Sequence, residues 1–118
     1  MATNALNIGV ELFTIFGKDL RISATTGFDK HYDHHQKCLL VVMLLEAMSK
    51  KPVDMYVVEE DETNITVRCA GYGLKDEVLD EETIIIREDK LFPIRKFWFK
   101  VDDYGKFYLG TILFPEEY

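Results

Sequence analysis

The segment that most constrains the fold is CLLVVMLL, residues 38–45. An α-helix turns about 100° per residue, so the seven apolar residues from 39 to 45 point in every direction around a helix axis. A helix that is apolar on all sides is buried on more than one side. The sequence therefore predicts one of two arrangements: a sheet wraps this helix, or one face packs on the sheet and another face packs on a second chain.

The flanking residues predict that this helix covers about residues 27–50. Thr26 and Asp29 have the spacing of a capping box at its start. At its end, the sequence SKKP at 49–52 places cations in the last turn and a proline that stops the helix. We expect one long, buried helix.

One face of the predicted helix carries Leu40, Leu44 and Met48. This face is apolar near the helix end and polar near its start, at Asp29 and Lys37, as expected of a surface that a partner covers in part. We therefore predict that it is an interface for a second copy of the chain, so that the protein is a homo-oligomer, or for another protein. The alternative is that loops of the same chain cover it.

Alternating apolar and polar residues predict the strands of a mostly antiparallel sheet. Two strands, at about 9–16 and 19–25, precede the helix, and about five follow it: MYVVEE, NITVRCA, TIIIR, FPIRKFWFKV and KFYLGTILF. Most connections are short, which favours antiparallel neighbours. The sequence thus predicts a single α+β domain over residues 1–118, with six to seven strands in the order β-β-α-β-β-β-β-β. In outline this is similar to hot-dog and cystatin-like domains.

The last two strands flank the turn DDYG, residues 102–105. A three-residue loop at 103–105 would place Trp98 opposite Gly110 on the neighbouring strand. A tryptophan that covers a cross-strand glycine is a known way of stabilising a sheet. Alternatively, Trp98 lies exposed between two lysines and stacks on a partner.

All three histidines, His31, His34 and His35, and also Cys38 lie within the ten residues DKHYDHHQKC. On one continuous helix they would share an arc of about 100°. Imidazole and thiolate are good ligands for zinc and related metals, and i, i+4 pairs can bind one ion. However, His31 and Cys38 would lie about 10 Å apart along the axis, too far for one ion. We expect histidines that pack above a buried cysteine, with no cofactor. The same side of the helix continues as Val42, Leu45 and Ser49, which we expect to lie in the core. The alternative is one divalent transition metal bound by two of these residues, His31 with His35 or His34 with Cys38.

The charge distribution argues against direct binding to nucleic acid. The chain has 14 Lys and Arg against 21 Asp and Glu, a formal charge of −7, and 15 of the acids follow residue 58. Affinity for phosphate backbones comes largely from Lys and Arg. Two cysteines are too few for a disulfide scaffold, and no apolar run reaches the roughly 18 residues that a membrane span requires. We expect a cytoplasmic protein without a membrane segment.

These features predict a small, acidic, non-enzymatic interaction module that acts as an inhibitor, antagonist or adaptor on a protein partner. A basic surface on that partner would complement the acidic chain. Its acids would guide the encounter, and three aromatic residues would anchor the contact. The alternative is a small metal-dependent or hot-dog-like enzyme that uses the histidine cluster. The predicted contact residues, besides the helix face, are Glu59, Glu60, Asp61, Glu62, Asp76, Glu77, Asp80, Glu81, Glu82, Trp98, Tyr104 and Tyr108.

Overall fold

The computed structural model describes residues 4–5, 12–60, 64–73, 82–87 and 92–117. They form an α+β fold in which a helical segment packs against one mostly antiparallel sheet, and the predicted fold class is confirmed. Within these residues the sheet has eight strands, because a short strand near the start adds to the seven in the predicted order. The elements are β1 (Asn4–Ala5), β2 (Leu12–Ile15), β3 (Lys18–Ala24), α1 (Thr26–His31), α2 (His34–Lys50), β4 (Val53–Glu60), β5 (Ile65–Gly73), β6 (Glu82–Arg87), β7 (Phe97–Asp103), β8 (Phe107–Leu113) and a 3-10 helix (Pro115–Glu117).

The strands are arranged in the order β1-β3-β8-β7-β4-β5-β6, and β2 also pairs with β3. Among the described residues, the pairing of β3 with β8 is parallel and the other pairings are antiparallel. This parallel pair runs from Asp19 beside Phe107 to Ala24 beside Ile112. It joins an early strand to the last strand, so the sheet is completed by a contact between distant parts of the chain.

The helix predicted over residues 27–50 is interrupted at Tyr32 and Asp33. Asp33 begins a new helix because its carboxylate accepts a hydrogen bond from the Gln36 N–H (2.8 Å) and its own N–H donates to the Gln36 side chain (3.0 Å). This reciprocal pair is a capping box. Thr25, rather than Thr26, caps α1. No helix within the described ranges is long and apolar enough to cross a membrane.

Aromatic side chains fill the space between α1 and the sheet. The Phe28 ring centroid lies 5.0 Å from those of Tyr32 and Phe97 and 5.6 Å from that of Phe114, and all four residues are buried. The Tyr32 hydroxyl accepts a hydrogen bond from the Arg95 N–H at 2.9 Å. Burial raises the pKa of Tyr32. These contacts fix α1 against the segment that leads into β7.

The β7–β8 hairpin closes through a two-residue loop, and the predicted three-residue loop is wrong. The Tyr104 N–H donates to the Phe107 carbonyl at 2.9 Å, which leaves Gly105 and Lys106 as the loop. Gly105 has a φ of 87°, as required at the first central position of a type II′ turn. The glycine therefore lies inside the loop rather than at its end, and the strand register shifts.

The shifted register changes which aromatic residue covers Gly110. Trp98 pairs with Leu113, and Gly110 pairs with Val101. A Cβ built on Gly110 would lie 2.5 Å from the Phe99 ring, so Phe99 covers this glycine from the core side. The predicted contact of Trp98 with Gly110 is therefore wrong, although an aromatic ring does cover the glycine.

Candidate interaction surfaces

The inner face of α2 is part of the core. Leu40, Leu44 and Met48 have exposed fractions of 0%, 1% and 0%. The sequence left two alternatives for these three residues, an interface with a partner or cover by the same chain, and the chain's own fold covers them. The physical reason is that this side of α2 packs into the core, which removes its apolar surface from water. In this conformation they are unavailable to a partner.

The outer face of α2 carries a second apolar stripe, which the sequence predicted to lie in the core. It consists of His35, Cys38, Val42, Leu45 and Ser49, hereafter the outer stripe. Val42 exposes 62% of its surface, Cys38 and Leu45 are half-buried, and the two end residues are exposed. The polar residues His35 and Ser49 were the signal that this side faces water. An apolar centre with polar ends therefore lies on the solvent side of the helix.

A buried ion pair holds the corner between the two helices. The Lys37 ammonium lies 2.6 Å from the Asp29 carboxylate, and Lys37 is 3% exposed. A buried charge is tolerated when it has a partner of opposite sign. The sequence predicted that both residues lie at the polar start of a partner surface. The structure instead uses them inside the molecule, to link α1 with α2.

The helix break separates the members of the histidine cluster. His31 lies on α1, where its ring contacts Tyr32 (4.6 Å between centroids) and Phe114 (5.4 Å). His34 and Cys38 remain one turn apart on α2, with 3.7 Å between Nε2 and Sγ. Across the residues that the structure describes, no group of three or more His, Cys, Asp or Glu side chains is placed to hold a metal ion. The predicted pair of His31 with His35 on one helix is not formed.

The tip of the β7–β8 hairpin, residues 103–107, presents an exposed aromatic side chain. Tyr104 is 59% exposed, and its ring stacks on Phe107 with centroids 5.2 Å apart and planes 15° apart. The Asp103 carboxylate accepts hydrogen bonds from the Gly105 N–H (2.8 Å) and from the Lys18 ammonium (3.2 Å). The Gly105 N–H, and then Lys18, lower the pKa of Asp103, and the hydrogen bond to Asp103 raises the pKa of Lys18. Tyr104 is thus an exposed ring on a firmly built turn.

The other two predicted aromatic anchors lie elsewhere. Tyr108 is 2% exposed, because the register of β8 turns its even-numbered residues inward. Trp98 is half-buried in β7, six residues before Tyr104, which corresponds to about 20 Å along an extended strand. The three aromatic residues therefore do not form one surface, and Tyr104 is the exposed one.

The acidic residues of the β4 end already make contacts within the chain. A carboxylate oxygen of Glu60 accepts a hydrogen bond from the Ile94 N–H at 3.2 Å, and Glu59 lies 4.0 Å from the Lys96 ammonium. Glu82 is the first residue of β6, and only its backbone is described. The remaining predicted acids lie outside the described residues: Asp61, Glu62, Asp76, Glu77, Asp80 and Glu81.

Comparisons of this chain with protein-family models, with curated proteins and with solved structures find no match. Its function is therefore inferred from the geometry and chemistry of its surfaces.

Proposed function

We propose that this chain is a small, acidic, non-enzymatic interaction module that docks on a protein partner through the tip of the β7–β8 hairpin, with Tyr104 as the main anchor. The observation that carries the proposal is the 59% exposure of this ring on a turn whose backbone is fixed by hydrogen bonds. Tyrosine is among the residues most enriched at the energetic centres of protein interfaces. Its ring supplies apolar contact area, and its hydroxyl supplies a hydrogen-bonding group.

The structure of the tip reduces the entropy that binding would lose. Tyr104 stacks on Phe107, and its N–H is bonded to the Phe107 carbonyl. Asp103 bonds the Gly105 N–H inside the same turn. A side chain already held in one position loses little conformational freedom when a partner covers it. Tyr104 is therefore better suited to anchor a partner than an aromatic residue on a loose loop.

The charge of the chain favours a partner with a basic surface. The formal charge is −7, and attraction between opposite charges accelerates encounter and sets orientation. Covering a surface of the partner would make the chain an inhibitor or antagonist, and bridging two proteins would make it an adaptor. We place this activity in the cytoplasm.

The test is a comparison of Tyr104→Ala with the wild type. Partners are captured from native lysate, identified by mass spectrometry, purified and titrated by calorimetry. We expect Tyr104→Ala to raise the Kd about 30-fold, the effect typical of a central aromatic anchor. The matched control Thr14→Ala truncates an exposed side chain of β2 and should leave the Kd within about twofold, as expected outside the energetic centre of an interface. An unchanged Kd for Tyr104→Ala would refute the anchor.

The electrostatic part of the proposal has a separate measurement. The association rate constant should fall as ionic strength rises, because salt screens the attraction between an acidic and a basic surface. A rate constant independent of salt would show that the partner is not selected by charge. That result would leave the role of Tyr104 intact, since the anchor acts by apolar contact.

A further inference from the structure

We propose that the residues after β8, 114–117, form a strap: they hold α1 on the sheet, and α1 and the strap open together without unfolding of the rest of the chain. The Glu117 carboxylate accepts hydrogen bonds from the Thr25 hydroxyl (2.6 Å) and from the Phe114 N–H (2.8 Å). The Glu117 N–H donates to the Phe114 carbonyl at 2.9 Å. One carboxylate therefore joins the end of the sheet to the start of α1.

Glu117 acts on α1 through the residue that caps this helix. The Thr25 hydroxyl donates its proton to Glu117, and its oxygen accepts a hydrogen bond from the Phe28 N–H at 3.4 Å. The bond to Glu117 thus leaves the electron pairs of the hydroxyl available to the helix. The Thr25 carbonyl accepts from the Asp29 N–H at 3.0 Å. Loss of the Glu117 carboxylate would therefore loosen the first turn of α1.

Gly27 provides the space for this carboxylate. A Cβ built on Gly27 would lie 2.5 Å from Oε2 of Glu117. Because the carboxylate is the end of a flexible side chain, a methyl group at position 27 would displace the carboxylate rather than the backbone. Glycine in a helix costs stability relative to alanine. Here it allows Glu117 to reach Thr25.

Arg95 connects the strap to the other end of α1. The Arg95 guanidinium carbon lies 3.9 Å from the centre of the Phe114 ring, and the guanidinium contacts the Glu116 carboxylate. The Arg95 N–H donates to the hydroxyl of Tyr32, the residue that ends α1. A helix of six residues is too short to be stable by itself. We therefore expect α1 to open when the contacts at its ends are broken.

Opening of this unit would leave the rest of the fold in place. The strap and α1 contain no strand, and α2 begins with its own capping box at Asp33. Opening would separate Asp29 from Lys37, but it returns both charges to water, and desolvation offsets much of the attraction in a buried ion pair. It would also expose Phe28 and Phe114, which are buried when the strap is closed. The strap thereby controls access to an aromatic surface.

The first test is native-state hydrogen exchange of the full chain at low concentrations of urea. We expect the amides of Phe28, Asp29 and Glu117 to share one free energy of opening, lower than that of core amides such as Val58 in β4. Two results would overturn the proposal. In one, the α1 amides exchange only with global unfolding, and in the other, the Glu117 amide exchanges independently of them.

The second test removes the carboxylate. Glu117→Ala should speed exchange of the Phe28 and Asp29 amides about tenfold, because a hydrogen-bonding group at the start of α1 is lost. Glu117→Gln keeps an acceptor oxygen and should speed this exchange less than about threefold. The control Glu46→Ala removes an exposed carboxylate of α2 and should change it by less than about twofold. If Glu117→Ala affected the Phe114 amide alone, the strap would not hold α1.

The third test uses Gly27→Ala, for which the strap and helix propensity predict opposite results. Alanine favours a helix over glycine, so without a role for Glu117 the Phe28 and Asp29 amides should exchange more slowly. We expect faster exchange, because the methyl group displaces the carboxylate. In the Glu117→Ala chain the same substitution should slow exchange. Slower exchange for Gly27→Ala alone would refute the strap. Tyr104→Ala should leave these rates unchanged, since the strap does not depend on the proposed partner contact.

Discussion

The two faces of α2 differ in burial far more than in composition. Leu44 and Val42 are two residues apart and both aliphatic, yet their exposed fractions are 1% and 62%. The inner face lies in the core, and the outer face reaches solvent. The comparison shows that apolar character alone does not assign a residue to the core. On the inner face it supplies stability, whereas on the outer face it remains in contact with solvent.

The largest expected effect comes from truncating the inner face. Leu44→Ala should lower the free energy of unfolding by about 3 kcal/mol, because it removes buried contacts and leaves a cavity. Val42→Ala should change the free energy of unfolding by no more than about 0.5 kcal/mol, because the Val42 side chain is largely exposed. Urea denaturation followed by circular dichroism measures both. Equal losses for the two variants would show that the two faces contribute equally to stability.

A smaller effect is expected at Tyr56, which fixes the connection from α2 to β4. Its buried hydroxyl donates to the Lys51 carbonyl (2.6 Å) and accepts from the Val53 N–H (3.0 Å). Tyr56→Phe leaves both backbone groups without this partner and should lower the free energy of unfolding by about 1 to 2 kcal/mol at pH 7. Tyr104→Phe, which removes an exposed hydroxyl, is the matched control and should have almost no effect.

Tyr56 also predicts loss of stability in alkali. Burial raises its pKa in the folded state above the ordinary value of 10.0. The unfolded chain therefore releases this proton at a lower pH than the folded chain, so the stabilisation is complete below about pH 10 and declines as pH rises further. Urea denaturation between pH 8 and pH 11 measures the decline. The stability of Tyr56→Phe should decline less steeply with pH. Part of the decline should remain in this variant, because burial also raises the pKa of Tyr32.

The smallest of these effects concerns the capping residue that begins α2. Asp33→Ala removes the acceptor of the Gln36 N–H and should lower the free energy of unfolding by about 1 kcal/mol. Asp33→Asn keeps a capping acceptor and should lose much less. Thermal unfolding of the two variants at matched pH measures the difference. If alanine and asparagine were equivalent at this position, the capping box would not be what fixes the start of α2.

Local patterns were sufficient to predict most of the elements. Alternation in MYVVEE and NITVRCA predicted the antiparallel pair β4–β5, and the structure pairs Glu60 with Ile65 and Val58 with Val67. The helix break could also have been read locally, from the capping spacing of Asp33 and Gln36. The β7–β8 register could not be decided in this way, because both a two-residue and a three-residue loop accommodate Gly105.

The candidate surfaces were less accessible to sequence reasoning than the elements. Tyr104 lies at a turn, and turns are usually exposed, so the exposure of its side chain could be inferred from the residues around it. Tyr108 and Val42 were assigned to the opposite environments from those observed. The side of β8 that carries Tyr108 depends on the register, and the side that carries Val42 depends on which face of α2 the sheet covers.

The sequence by itself determined the α+β class, the positions of most strands, the helical segment and the acidic charge, because these depend on composition and on periods of two to four residues. Only the tertiary structure decided which face of α2 is buried, the pairing of Lys37 with Asp29, and the parallel contact of β3 with β8. Each of these is a choice between alternatives of similar local free energy. The choice is made by contacts between residues that are distant along the chain or that lie on opposite sides of a helix break. Such contacts cannot be predicted from local periodicity.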